Sequence, residues 1–315
     1  MAKKKVKQLH PVLLVFIDLL LIGALLCTYA FFHHVLPRKY AYVPPTEGEL
    51  DGYITIPSID SGEAPSVFTE GEVIKTQNSY KSPNVSVTMT CVQKNGITYY
   101  VQDIYVRYIS LFKTAFAQDT YGLGYNEDQV QMAKNNNAIC SVNGDYYGLG
   151  DGGAVIRNGT LYRGKADADV CLLNYDGTVE MIERKKFDAE KEMAEGAYQA
   201  WCFGPVLLDE DGKAISEFNY KIVGPNPRTG LGYYEPGHYC FVTVDGRQPG
   251  YSNGITLADF AVLFEEMGCK AAYNMDGGQT AMMTFDGKLV NRPASGGRQT
   301  SDIIYICDFF SEDKK

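Results

Sequence analysis

Short apolar runs cut by Asn-Gly and Asp-Gly turns, very few stretches of helical spacing, and one long apolar segment at the N-terminus predict the architecture. Together they give an α+β chain of mixed, mostly antiparallel sheets with few helices, preceded by one N-terminal transmembrane helix.

The apolar segment comes first. Val12 to Phe32 is a 21-residue run broken only by Asp18. As a helix rising about 1.5 Å per residue it reaches about 31 Å, close to the hydrocarbon thickness of a bilayer. Lys3, Lys4, Lys5 and Lys7 before it place the N-terminus in the cytoplasm. No small-x-small cleavage site follows in Thr28–Phe32, so the segment reads as a retained signal anchor and not as a cleaved signal peptide. The expected order is a cytoplasmic basic segment over 1–10, the anchor over 11–36, an extracellular linker over 37–80 and one folded domain over 81–311. Asp18 would cost about 2.5–3.5 kcal/mol at a helix centre, which leaves two readings: a partner helix, or a position near the cytoplasmic face.

Charge separates the two parts of the chain. Residues 1–40 hold six basic residues against Asp18, so the net charge of −9 for the whole chain leaves −14 on the rest. An acidic body repels a phosphate backbone, which excludes nucleic acid as a partner and requires a locally basic pocket for any anionic substrate. Three of the four histidines lie at or before residue 34, which argues against a histidine-built metal centre.

The linker is read from Pro37, Pro44, Pro45 and scattered acids without periodicity. Strands follow at Val85–Met89, Thr98–Ile104, Ala138–Val142, Gly153–Arg157, Val170–Asn174, Tyr239–Val244 and Asp302–Asp308, with hairpin turns at Asn158-Gly159 and Asp176-Gly177. Thr256-Leu257-Ala258-Asp259 is a capping box, and Leu257, Phe260, Ala261, Phe264 and Met267 keep helical spacing until Gly268. Weaker helices are expected at Glu127–Asn135 and Ala189–Glu195. Seven cysteines follow the anchor. Most lie in apolar runs and none forms a CxxC, so they read as small buried hydrophobes with at most one unassigned disulfide.

Three places end a strand on a carboxylate in a glycine turn: Asn143-Gly144-Asp145-Tyr146-Tyr147, Val244-Asp245-Gly246-Arg247 and Asn274-Met275-Asp276-Gly277-Gly278. Glycine allows the tight turn or a close approach to a ligand, although an Asp-Gly pair also serves as a plain hairpin turn. Arg228, Arg247 and Arg298 also sit in glycine-rich turns, where a planar guanidinium suits a phosphate or carboxylate. Asp145, Asp151, Asp245 and Asp276 are oxygen donors of the kind Ca²⁺ takes, without EF-hand spacing; a metal is left unassigned. His238 in Pro236-Gly237-His238 reads as a surface turn. Trp201 and the tyrosines could stack on sugar rings but are mainly core material.

These motifs, with Ile156-Arg157-Asn158-Gly159, Phe203-Gly204-Pro205, Pro227-Arg228-Thr229, Gly254-Ile255-Thr256-Leu257 and Arg298 followed by Ser301-Asp302, resemble in order the phosphodiester glycosidase family over roughly residues 84–308. The chain departs from that family at Asp276-Gly277-Gly278-Gln279-Thr280, where many members read Asp-Gly-Gly-Gly-Ser. The resemblance implies cleavage of a glycosyl C1–O bond in a sugar-1-phosphodiester. A phosphate monoester, with a second pKa near about 6, leaves without the general acid that a sugar alkoxide needs. On that reading Asp276 and Asp145 flank the anomeric carbon, one as nucleophile or base. Arg228, Arg247 and Arg298 compete for the phosphate, Asn143 and Asn274 fix sugar hydroxyls, and Asp245, Gly277 and Gly278 complete the binding site. The expected function is a membrane-anchored extracellular hydrolase of cell-wall or exopolysaccharide glycans. A non-catalytic glycan-binding or assembly module and a glycosyl transferase of exopolysaccharide biosynthesis are the alternatives.

Overall fold

The computed structural model describes residues 11–30, 40–46 and 48–312. The basic segment 1–10, the end of the anchor over 31–36 and residues 37–39 lie outside the described residues. The chain divides into two units, residues 1–41 with 311–315, and residues 42–310. In the first, Pro11–Ala30 is an α-helix whose stretch Val12–Ala30 is long and apolar enough to cross a membrane. Apart from Pro11, whose side chain is not described, each of its residues is exposed.

Three antiparallel sheets build the second unit. The largest has seven strands in the order Ala271–Asn274, Arg228–Glu235, His238–Val244, Ile97–Val106, Val85–Lys94, Ser79–Lys81 and Ile74–Lys75. The central sheet runs Lys288–Leu289, Met283–Phe285, Cys140–Asn143, Asp302–Ile306 and Phe112–Phe116. A side sheet runs Val179–Ile182, Val170–Asn174, Ala197–Trp201, Val155–Arg157 and Thr160–Arg163. Both expected hairpins form. Asn158 and Gly159 each take positive φ, as the favoured two-residue hairpin turns demand.

Thr256 caps the helix as expected: its Oγ1 accepts from Asp259 N–H at 3.0 Å, and the same hydroxyl donates to the Asp259 carboxylate at 2.6 Å in place of the reciprocal backbone bond of a full capping box. The helix Leu257–Glu266 then lays Leu257, Phe260, Ala261 and Phe264 on the large sheet, against Val242, Val244 and Ala272. The strand Arg228–Glu235 beneath it carries no local strand signal, because two glycines interrupt its pattern. They make room for the helix: a Cβ on Gly230 would meet Phe264 at 2.8 Å, and one on Gly232 would meet the Cys240 sulfur at 2.6 Å.

Three further expectations are corrected. Residues 52–60, assigned to a solvated linker, join the core: Ile54, Ile56 and Ile59 are buried, and Ile54 N–H donates to the Arg107 carbonyl at 2.8 Å. An alternating Ile-x-Ile-x-x-Ile was signal enough, hidden among prolines and acids. All eight cysteines are thiols, and no disulfide forms; Cys240 and Cys269 come closest, with sulfurs 3.8 Å apart. His238 is not a loose turn residue. It stacks between Tyr105 and Tyr234 and holds Asp103 at 2.8 Å.

Candidate active site

The site lies where the large and central sheets meet. Strand Ala271–Asn274 runs out into Met275–Gly278, and three backbone bonds pin that exit. Met275 N–H donates to Thr229 at 2.8 Å, Asp276 N–H to Gly144 at 3.3 Å and Gly278 N–H to Pro227 at 2.9 Å. Asn143, at the end of the central strand, closes the seam. Its amide donates to the Asp276 carbonyl at 2.7 Å while its oxygen accepts from Thr229 Oγ1 at 2.7 Å. Asn143 is therefore a buried brace and not a group facing sugar. Gly277 has to be glycine, since a Cβ there would meet the Pro227 carbonyl oxygen at 2.6 Å.

A cavity of about 380 Å³ opens in front of this turn. Asp276, Asn274, Arg228, Arg247 and Arg298 line it, with Phe203 and Tyr220 among its aromatic walls. Its volume is in the range of pockets that take small ligands. The Asp276 carboxylate accepts from Gly277 N–H at 2.9 Å, Thr280 Oγ1 at 2.6 Å and Arg298 Nη2 at 3.2 Å. Burial raises its pKa above the ordinary range; the hydroxyl, the guanidinium and the amide pull the other way without cancelling it. Arg298 is held from behind, its guanidinium 4.8 Å from the centre of the Tyr146 ring.

Arg228 differs from the other two arginines. It is 5% exposed, and no carboxylate pairs with it among the described residues. Its Nε donates to the Ile255 carbonyl at 2.9 Å, and Nη2 donates to Ile222 at 3.1 Å and Gly224 at 2.8 Å. Burial depresses its pKa to about 10. Arg247 is steered by Asn226 Oδ1, which accepts from its Nε at 3.2 Å and Nη2 at 2.9 Å. Gly278 keeps the space beside that guanidinium open. Asn274 donates to the Gly204 carbonyl at 2.8 Å, leaving its buried Oδ1 in the cavity wall without a protein partner.

Two of the named acids stand elsewhere. Asp145 is buried behind the cavity, accepting from Arg157 Nη2 at 2.8 Å, Tyr147 N–H at 3.2 Å and Cys202 N–H at 2.9 Å. Its negative charge nevertheless contributes to the raised pKa of Asp276. Asp245 is fully buried and takes Asn291 at 2.8 Å, Tyr251 at 2.9 Å and Arg292 N–H at 3.0 Å, so it holds a loop and lines no part of the cavity. Among the described residues no group of three or more His, Cys, Asp or Glu side chains converges on a metal position, so the four acids weighed as Ca²⁺ donors do not form a cage. Trp201 is buried beside Arg157 and offers no sugar platform.

Sequence reasoning missed Arg157 as a working residue, along with Asp302, Thr280 and the segment 220–222. Arg157 bridges Asp145 and Asp302, 3.0 Å from the latter, all three nearly inaccessible. Burial, then the Asp145 charge, raise the Asp302 pKa against the pull of Arg157. Gly144 exists for this packing, since any Cβ there would overlap the Asp302 carboxylate. Arg157 and Asp302 stood inside the family-like motifs, but adjacency in space gave no sign in either.

A family model described as phosphodiester glycosidase matches residues 136–307, more than half of the chain. The chain belongs to the phosphodiester glycosidase family. The SPbeta prophage-derived protein YomE of Bacillus subtilis (strain 168) is 28% identical over 292 residues, covering 78% of this chain and 44% of that protein. This chain therefore spans less than half the length of that curated relative. Among solved structures, the catalytic domain of zebrafish N-acetylglucosamine-1-phosphodiester alpha-N-acetylglucosaminidase, auto-inhibited by its pro-peptide, aligns with a TM-score of 0.59 at 17% identity, covering 87% of this chain and 97% of that one. A hypothetical protein from Synechocystis aligns with a TM-score of 0.54 at 14% identity, covering 73% and 63%. At those identities the two structures share the fold with this member of the glycosidase family.

Proposed function

We propose that the chain is a membrane-anchored hydrolase of sugar-1-phosphodiester bonds, its N-terminus cytoplasmic and its glycosidase domain outside the cell. Cell-wall or exopolysaccharide glycans are its substrates, and it releases the sugar from a phosphomonoester. The observation that carries the reading is Arg228, a buried guanidinium without a carboxylate partner among the described residues, in the same cavity as the hydrogen-bonded Asp276. A buried cation held only by neutral carbonyls still lacks a counter-charge, and a phosphate supplies one.

The chemistry follows from these positions. The phosphate sits toward Arg228 and Arg247, and the sugar turns C1 toward Asp276, beside Asn274 in the cavity wall. Asp276 acts either as base, taking a proton from a water that bonds to C1, or as nucleophile, bonding to C1 in an ester that water then hydrolyses; in both cases the C1–O bond to phosphate breaks, and the phosphomonoester keeps the electron pair. Arginine charge stabilises that leaving anion and takes the place of a general acid. Thr280 and Arg298 hold the carboxylate in its reacting orientation. Asp145, locked to Arg157, acts through Asp276 as a positioning residue and does not touch the sugar.

The test sets an N-acetylglucosamine-1-phosphodiester beside a plain aryl glycoside, with Asp276→Asn as control. Release of sugar and phosphomonoester from the first alone, abolished in the variant, is the expected result. Cleavage of neither by a folded wild-type protein would overturn the hydrolase reading.

A further inference from the structure

Two loops that start from the wall of the cavity carry apolar side chains into solvent. In the first, Tyr220, Lys221 and Ile222 line the cavity, yet Ile222 is 56% exposed and Val223 after it 42%. Backbone bonds hold this loop. Arg228 Nη2 donates to the carbonyls of Ile222 at 3.1 Å and Gly224 at 2.8 Å, and Leu257 N–H donates to that of Val223 at 2.9 Å. The second loop begins at Tyr146, whose ring packs on Arg298. Three residues on, Leu149 is 76% exposed. Gly124 N–H donates to the Gly148 carbonyl at 3.2 Å and brings in a further loop, whose Leu123 is 56% exposed. Tyr121 and Tyr147 stack between these two loops, ring centres 5.3 Å apart.

A single exposed leucine needs no explanation, but apolar tips gathered on backbone-pinned loops around one site mark a surface that meets something apolar. The rest of the chain says what that is. Val12–Ala30 is long and apolar enough to cross a membrane. Residues 31–41 separate it from the sheet domain, and a stretch of that length reaches at most about 40 Å when fully extended. A domain on so short a tether stays at the membrane surface. There, apolar side chains gain by entering the boundary between headgroups and acyl chains. Lys221, exposed next to Ile222, suits the phosphate of a lipid headgroup.

We propose that these loops dock the glycosidase domain on the outer leaflet of the membrane, with Ile222, Val223, Leu123 and Leu149 entering the lipid, so that its substrates are the membrane-borne forms of its glycans. The proposal rests on the anchored-hydrolase reading above, and the experiment separates the two. Trp201, the one tryptophan of the chain, is wholly buried and serves as the baseline. Full-length Val223→Trp and Leu149→Trp are reconstituted into phosphatidylcholine vesicles with and without bromine on the acyl chains. Bromine should quench each added tryptophan and leave the Trp201 emission of the wild type unchanged. Undiminished emission from the added tryptophans overturns the docking, and protein that does not float with the vesicles overturns the anchor with it. Emission that follows protein concentration, in detergent as in vesicles, assigns the loops to a second copy of the chain and also overturns it. The substrate is tested with Leu149→Ser/Val223→Ser, on a sugar-1-phosphodiester of a long-chain alcohol held in vesicles and on the methyl ester in water. Relative to wild type, kcat/KM should fall about tenfold or more on the first, for the lost burial of two apolar side chains, and stay unchanged on the second. An equal effect on both esters overturns the membrane-borne substrate while the hydrolase reading stands. If neither ester is cleaved by the wild type, the hydrolase reading falls and the quenching alone decides the docking.

Discussion

The front and rear walls of the site hold similar charges in opposite conditions. At the rear, Asp145, Arg157 and Asp302 form a closed network with side chains no more than 1% exposed. At the front, Asp276 leans on a half-exposed Arg298, and among the described residues Arg228 donates only to backbone carbonyls. A network whose charges meet each other is structural; one left short of a counter-charge at a cavity is built for a ligand. Sequence treated Asp145 and Asp276 alike, and only their partners separate them.

The sharpest way to break this contrast is to neutralise each carboxylate. Asp276→Asn should lose about 10³-fold or more in kcat, the scale of a removed nucleophile or base, with a thermal midpoint no lower than wild type. Asp145→Asn should lose stability first and turnover less; a stable Asp145→Asn protein as inactive as Asp276→Asn would erase the distinction.

Arg157→Met tests the rear wall alone. Removing the cation strands two buried carboxylates and should cost about 3–5 kcal/mol in chemical denaturation. The Asp302 pKa is already raised in the folded state by burial, and losing Arg157 raises it further. The folded form then favours the protonated acid, so the loss should be smallest at low pH and grow as pH rises through that pKa.

At the front, Arg228→Met should raise KM for a phosphodiester by about 10- to 100-fold, as expected of a hydrogen bond to a charged group. Inorganic phosphate should raise the thermal midpoint of the wild type but not of this variant. The smallest effect is on pH dependence. Asp276 must be ionised to attack, and its raised pKa places the acid limb of kcat/KM above the ordinary aspartate value of 3.8. Arg298→Gln removes a charge that lowers that pKa, so the limb should move up, and only slightly because Arg298 is 43% exposed and solvent screens it. A downward move would show that Arg298 does not serve Asp276.

Reading the sequence found the residues of the front wall because strand-ending Asp-Gly turns and glycine-flanked arginines are local signals. It misplaced Asn143 and Asp245 for the same reason: a side chain at a strand end can face the cavity or brace the chain behind it, and the local pattern is identical.

By itself the sequence determined the antiparallel class, both Asn-Gly and Asp-Gly hairpins, the capped helix at Thr256 and the apolar N-terminal helix. Each depends on neighbours within a few residues, through turn dihedrals, capping bonds or periodic burial. Tertiary structure alone decided that residues 52–60 belong to the core, that a glycine-broken stretch at 228–235 is a central strand, and that Arg157 binds Asp145 and not a substrate. Those outcomes depend on which surfaces meet across a hundred or more residues. Burial and charge pairing are properties of that meeting, and no single stretch of chain contains them.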